Sequence, residues 1–258
     1  MILKTESISV PKNVAMKAVV TNKLTKKFGD FVATNEITFD VAQGEIFGFL
    51  GANGAGKTTA MRMLCGLLKP TSGEATVAGF DVYKQSEQIK QVIGYMSQKF
   101  SLYDDLTVRE NIRFYGGIYG LNRTNLKAKS DAIIQQLGLG SVADKLTVSL
   151  PLGWKQRLAF SVALIHDPKV VFLDEPTGGV DPITRRQFWD MIYEAAHRGT
   201  TIFVTTHYMD EAEYCNRVSI MVDGRIKALD TPGALKQQFG TDSMDGVFQI
   251  LARGTSTK

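Results

Sequence analysis

Eight consecutive residues carry the most specific chemistry in the chain. Gly51-Ala52-Asn53-Gly54-Ala55-Gly56-Lys57-Thr58 fits the pattern G-x-x-x-x-G-K-[ST]. A chain of this length matches it by chance about 1% of the time. Its setting, an apolar run before and a helix pattern after, is the one that cradles phosphate. Glycines let successive backbone N–H groups converge on phosphate oxygens without Cβ clashes. The helix that follows adds about half a positive charge at its N-terminus. Lys57 is placed to reach the β- and γ-phosphates of a nucleotide, and the Thr58 hydroxyl suits Mg²⁺. Leu173-Asp174-Glu175 supplies two carboxylates. Asp174 closes an apolar run and so stands at a sheet edge near that Mg²⁺, and Glu175 is placed to polarise an attacking water. Thr206-His207 ends the next apolar run and could meet the γ-phosphate from the same edge. On position alone His207 is as readily structural as functional, and His166 and His197 read as core or surface groups.

These groups need a sheet edge to meet on. Residues 17–50 alternate short β-like runs with turn residues (Ala18–Val20, Ile37–Val41, Ile46–Leu50), predicting a small β layer. Thr58–Leu68 reads as a helix ending before Lys69-Pro70. From about Ser86 to Thr147 the pattern turns helical. Thr107-Val108-Arg109-Glu110 is a capping box, followed by an aromatic-rich stretch over Asn111–Leu121 and a helix over Lys127–Leu137. Lys169–Asp174 and Thr201–Thr206 then read as buried strands. Between them Asp181-Pro182, an N-cap followed by Pro, opens a helix to about His197. Asp223-Gly224 between two apolar runs is a hairpin turn. Strands alternating with helices predict a mainly parallel α/β sheet covered on both faces.

Composition excludes several classes. The 258 residues are 44% hydrophobic and 22% charged, with 24 Gly and 7 Pro, as expected of a globular chain that needs no staples. Two cysteines, Cys65 and Cys215, make no disulfide scaffold or metal site and read as buried thiols. The net charge of +4, without a basic block, does not predict nucleic acid. No apolar run approaches the roughly 20 residues needed to span a bilayer. The N-terminus has no apolar segment of the secretory kind, so a cytosolic protein is expected.

With these motifs in order, the chain resembles the nucleotide-binding subunit of ABC transporters over about residues 17–240. Residues 1–16 are left as an N-terminal extension and 241–258 as a C-terminal tail. The resemblance implies a P-loop NTPase core with a mainly parallel sheet, a small antiparallel β subdomain and an inserted helical subdomain at about 86–160. It assigns adenine stacking to Phe28, in Lys27-Phe28-Gly29, and ATP binding to Gly51, Asn53, Gly54, Ala55, Gly56, Lys57, Thr58 and Thr59. It gives Mg²⁺ to Thr58, Asp174 and the Q-loop residue Gln98, and catalysis to Glu175, His207, Lys57 and Gln98. Thr177–Asp181 matches the D-loop. The implied partners are an integral membrane permease and a second ATP-binding domain, with no nucleic acid. The implied location is peripheral, on the inner face of the cell membrane, and the aromatic segment Phe100–Tyr119 would dock a helix of the permease. A regulatory ABC ATPase acting on ribosomes or DNA is the alternative, for which a basic stripe would be expected. An ATP-binding module that no longer hydrolyses is a third reading, opposed by the intact Lys57, Asp174, Glu175 and His207.

One motif departs from that family. Aligned on Lys155-Gln156-Arg157, the signature Leu-Ser-Gly-Gly-Gln becomes Leu150-Pro151-Leu152-Gly153-Trp154. The family uses this segment, with Asp181 of the D-loop, in trans on the ATP of a second domain. Proline supplies neither hydroxyl nor N–H, and Leu152 adds bulk where phosphate must approach. Either the signature acts weakly on the opposite site, or the loop is rebuilt and works through backbone groups. The string resembles a subset of multidrug-exporter ATPases, including the second half of tandem proteins, which favours export and an asymmetric pair.

Overall fold

The computed structural model describes residues 16–99 and 102–253. The extension at 1–16 therefore lies outside the described residues, apart from Met16.

The apolar runs build a six-stranded sheet from β3 (Ile46–Leu50), β6 (Ile93–Met96), β7 (Val170–Asp174), β8 (Thr201–Thr206), β9 (Arg217–Val222) and β10 (Arg225–Asp230), in the order β10-β9-β3-β8-β7-β6. All neighbours are parallel except the β9–β10 hairpin, which turns at Asp223-Gly224 as expected. Every residue of β3, β7 and β8 is buried, which is why these segments read as continuous apolar runs without alternation. A four-stranded antiparallel sheet, β2-β1-β4-β5, lies to one side, from β1 (Lys17–Phe28), β2 (Phe31–Ala42), β4 (Ser72–Val77) and β5 (Phe80–Asp81). Phe39 of β2 stacks on Phe47 of β3, centroids 5.4 Å apart, and joins the two sheets in one core.

Parallel register sets the site. Leu50 pairs with Thr206, Asp174 with Thr205 and Met96 with Leu173. The residues just beyond these strand ends (Gly51, Glu175, His207, Gln98) therefore leave the sheet at one edge, the carboxyl edge where open α/β sheets bind ligands.

The helices meet most expectations, and the departures have local causes. Thr107 and Glu110 form the capping box of α3 (Val108–Ile118), and Asp181 caps α6 (Pro182–His197) with Pro182 in its first turn. The helix after the phosphate loop, α1 (Lys57–Leu64), stops short of Leu68. Gly66 takes the left-handed conformation, φ 67°, and Leu67 and Leu68 turn their amides back to Arg62 O. α4 (Arg123–Gln136) starts four residues early because the Asn122 side chain caps it through Asn125 N.

Two boundaries move. The helical insertion does not begin near 86: α2 (Ser86–Val92) leads into β6, the edge strand of the parallel sheet. The separate helical cluster starts beyond Gln98 and packs α3, α4 and α5 (Leu152–Ala163) around Ile112, Ile134, Leu158 and Val162. Helix α5 is shared. Its Phe160 faces the core of α6, and a Cβ on Gly94 of β6 would run into Ala163 O. Of the expected C-terminal tail at 241–258, residues 244–253 form a packed helix. After α7 (Pro232–Phe239), α8 (Met244–Arg253) buries Met244 and Val247 in the core formed with β9 and α6. No helix among the described residues is long and apolar enough to cross a membrane.

Candidate active site

Tight backbone approach shapes the phosphate loop. A Cβ on Gly56, whose φ is 104°, would collide with Ala33 O of β2, and one on Gly51 would stand 2.5 Å from Met221 O. The loop is also stitched to the β9–β10 hairpin. Gly224 N donates to Ala55 O, and Asn35 N of β2 donates to Gly224 O. Asn53, Gly54 and Thr58 are exposed, Thr59 is half-buried and Ala55 is buried, so the loop presents its backbone outward from a fixed base.

Lys57 opens α1 but is only 4% exposed, because its side chain folds over the loop. Its Nζ donates to Gly51 O (2.7 Å) and Ala52 O (3.1 Å) and lies 3.5 Å from Glu175 Oε1. Burial lowers the Lys57 pKa, and the Glu175 carboxylate opposes that shift.

The carboxylates divide by environment. Asp174 is buried at the end of β7, where its Oδ1 accepts from Thr205 Oγ1 (2.6 Å) and Thr58 Oγ1 (3.2 Å). Burial raises its pKa and the two hydroxyls hold it back. Glu175 adopts φ 49°, unusual for a residue with a Cβ. Its amide donates to both O and Oγ1 of Thr205, which fixes that conformation. The turn aims the carboxylate away from Asp174, and Oε2 meets Gln98 Nε2 at 3.0 Å and His207 Nδ1 at 3.1 Å. Lys57, Thr58, Gln98, Asp174, Glu175 and His207, spread over 151 positions of sequence, thus form one connected cluster. Thr205, which braces the Asp174 carboxylate and the Glu175 amide, was not foreseen, since a threonine inside an apolar strand gives no signal of its own.

Phe28 stands at the β1–β2 hairpin tip, 50% exposed, with Lys26 Nζ 5.1 Å from its ring centre. The same strand pair meets the phosphate loop at Ala33. Within the signature Leu150 is buried and Pro151 is the N-cap of α5, without a side-chain cap. Leu152 is 42% exposed. A Cβ on Gly179 of the D-loop would touch Leu152 Cδ2 at 3.4 Å, and one on Gly153 would press Thr184 Cγ2 at 2.5 Å. Signature and D-loop therefore abut within the chain. Trp154 lies under Arg157, 5.8 Å from its ring. Asp181 caps α6 through Ile183 N and Thr184 N.

A family model described as "ABC transporter" matches residues 34–178, more than half the chain. The chain belongs to the ABC transporter family, as an ATP-binding domain. A shorter match, to an AAA domain, covers residues 148–209. Over 224 residues the chain is 51% identical to the "Probable multidrug ABC transporter ATP-binding protein YbhF" of Escherichia coli K12, covering 87% of this chain and 39% of that protein. It is 41% identical over 211 residues to ABC transporter A family member 3 of Arabidopsis thaliana, covering 81% of this chain and 22% of the relative. The chain thus spans about two fifths or less of the length of these relatives. Among solved structures, an ATP-binding subunit of an ABC transporter superposes with a TM-score of 0.82 at 25% identity, covering 91% of this chain and 99% of that one. Clostridium perfringens cbiO1, described as part of the transporter complex cbiONQ, gives 0.77 at 28% identity, covering 87% and 91%. The ABC domain described above therefore has the architecture of its family as well as its motifs.

Proposed function

We propose that this ABC domain hydrolyses ATP with Mg²⁺ on the Gly51–Thr59 loop and drives a membrane permease in the direction of export, paired with a second ATP-binding domain. One observation carries the hydrolytic part: Glu175 is held by Gln98 and His207, 3.5 Å from Lys57 and next in chain to Asp174. The loop amides and Lys57 bind the phosphates, and Phe28 offers an exposed ring to adenine. Thr58 Oγ1 and Asp174 Oδ1 are the hard oxygen donors that Mg²⁺ takes from proteins, so the donor set fits the ion, with the Gln98 amide oxygen as a third. Bound there, Mg²⁺ would neutralise charge on the phosphate oxygens. Glu175 orients and polarises the attacking water, and His207 fixes the carboxylate and faces the γ-phosphate. Positioning and fixed charge supply the catalysis.

Tyr103, Phe114 and Ile118, all at least 40% exposed, cluster at the start of the helical insertion with Tyr103 edge-on to Phe114 at 4.8 Å. Their exposure suits a permease segment; Phe100 lies outside the described residues. Such docking places the domain on the inner face of the membrane. Purifying the membrane-bound complex and identifying its chains by mass spectrometry tests this reading. A membrane-spanning chain is expected, with a second kind of ATP-binding domain. Recovery of ribosomes or DNA in its place would support the regulatory alternative.

Export and the unequal pair rest on the likeness to multidrug-exporter proteins and on the Pro151-Leu152 departure. If this signature serves the opposite ATP weakly, Pro151→Ser/Leu152→Gly restores a hydroxyl and an unobstructed amide. A gained hydrogen bond to a charged group gives about a tenfold rise in ATPase rate in the assembled complex. The serine also caps α5, so melting temperature rises alongside. An unchanged or lower rate would show that the loop works through its backbone as built.

A further inference from the structure

The contact between Glu175 and His207 closes a ring of side chains and one short stretch of main chain, whose far side is a buried carboxylate without an assigned role. Glu211 follows β8 by five residues, in the 3₁₀ turn Met209–Tyr214, and is fully buried. Its Oε1 accepts from Thr177 Oγ1, two residues after Glu175. The same oxygen lies 3.6 Å from Arg185 Nε and 3.5 Å from Trp189 Nε1 of α6. The Arg185 guanidinium covers the Tyr208 ring at 4.4 Å, and that ring lies 4.1 Å from the ring of His207. One arm thus runs from Glu211 through Thr177 to Glu175. The other runs through Arg185 and Tyr208 to His207. Both arms end on the two residues that share a hydrogen bond at 3.1 Å.

Burying this charge is costly. A carboxylate taken wholly out of water destabilises a fold unless it is paired and hydrogen-bonded, and here Glu211 Oε2 has no hydrogen-bond partner. Packing alone would be served better by an apolar side chain of similar volume. What the carboxylate adds is a point at which three segments meet: the Glu175–Gly178 turn, the start of α6 beyond the D-loop, and the turn that follows His207. A second buried strap holds the same turn from α5, where Gln156 Nε2 donates to Pro176 O.

We propose that Glu211 is a positioning residue for ATP hydrolysis, setting the separation of Glu175 and His207 through Thr177 on one side and Arg185 on the other. Glu211 is fully buried behind the turn, so its loss acts on turnover and spares nucleotide binding. The inference rests on the hydrolytic reading of the site, and wild type serves as the control. If wild-type complex has no ATPase activity, that reading fails; if wild type turns over and the variants match it, the positioning role fails.

The test measures kcat, KM for MgATP and melting temperature in the assembled complex for Thr177→Val, Thr177→Ser, Glu211→Gln and the double variant Thr177→Val/Glu211→Gln. The expected result is a fall in kcat of about tenfold in Thr177→Val and in Glu211→Gln, with KM within twofold of wild type. Thr177→Ser, which restores the hydroxyl, recovers the rate. The double variant is no slower than Glu211→Gln alone, because that substitution already disturbs the arm that Thr177→Val cuts. Thr177→Val leaves the Glu211–Arg185 pair intact, so it decides the matter if Glu211→Gln fails to fold. A kcat within twofold of wild type in Thr177→Val would overturn the proposal. So would a valine variant whose kcat loss matches its loss of folded protein and is not recovered by serine.

Discussion

Glu175→Gln is expected to lower ATP hydrolysis by a factor of 10² to 10⁴ while leaving MgATP binding intact or slightly tighter. The range is that of a positioned side chain acting on a proton in the transition state, equivalent to about 3–5 kcal/mol of barrier. The amide keeps the size of the carboxylate, and its oxygen can still accept from Gln98 and His207, as Oε2 does now. It loses the charge that polarises water. It also loses a negative charge 3.5 Å from Lys57, so phosphate meets less repulsion and less competition for the ammonium. Phosphate release and calorimetric titration with MgATP separate the two effects. Near-normal release by the variant would remove Glu175 from the role and leave His207 as the polar group next in line.

Legibility varied with the range of the forces. The carboxyl edge of the sheet could be read from sequence because β3, β7 and β8 are buried on both faces, and full burial leaves a continuous apolar run that ends where the chain emerges. Asp181-Pro182 and Thr107–Glu110 were equally plain, since a cap is made by residues two or three apart. What sequence did not show depends on contacts between distant positions. Ile93–Met96 looks like the approach to a helical region until Val170–Leu173 pairs with it. The final helix hides its purpose in the same way, because Met244 and Val247 find their core on β9 and α6, not locally. Thr205 and Glu211 carry no motif. Their importance comes from where Asp174, Glu175 and Thr177 arrive in space. The departure in the signature was visible as letters, but its meeting with the D-loop, Leu152 against Gly179, was not.

Lys57→Ala should have its largest effect on nucleotide affinity, a loss of about 100-fold for MgATP. A hydrogen bond to a charged group is worth about 1.5–3 kcal/mol, or roughly 10- to 150-fold in Kd, and here further effects push toward the upper end. The side chain is buried, and its ammonium answers both the Gly51 and Ala52 carbonyls and the Glu175 carboxylate. Without it two carbonyls lose their donor, and the Asp174–Glu175 pair faces an incoming polyphosphate with no fixed side-chain cation between them. Arginine should not rescue the site. Its longer, planar head does not fit a position 4% exposed and shaped around a compact ammonium. The nucleoside provides the control, because adenosine has no phosphate for Lys57 to meet and the stacking proposed for it on Phe28 would be independent of the loop. Calorimetric titration of wild type and variant with MgATP and adenosine reads both. An equal loss for the two ligands would mean that the substitution had collapsed the loop, whose glycines already sit against Ala33 and Met221. A loss confined to MgATP places Lys57 on the phosphates, where its reach over the loop points.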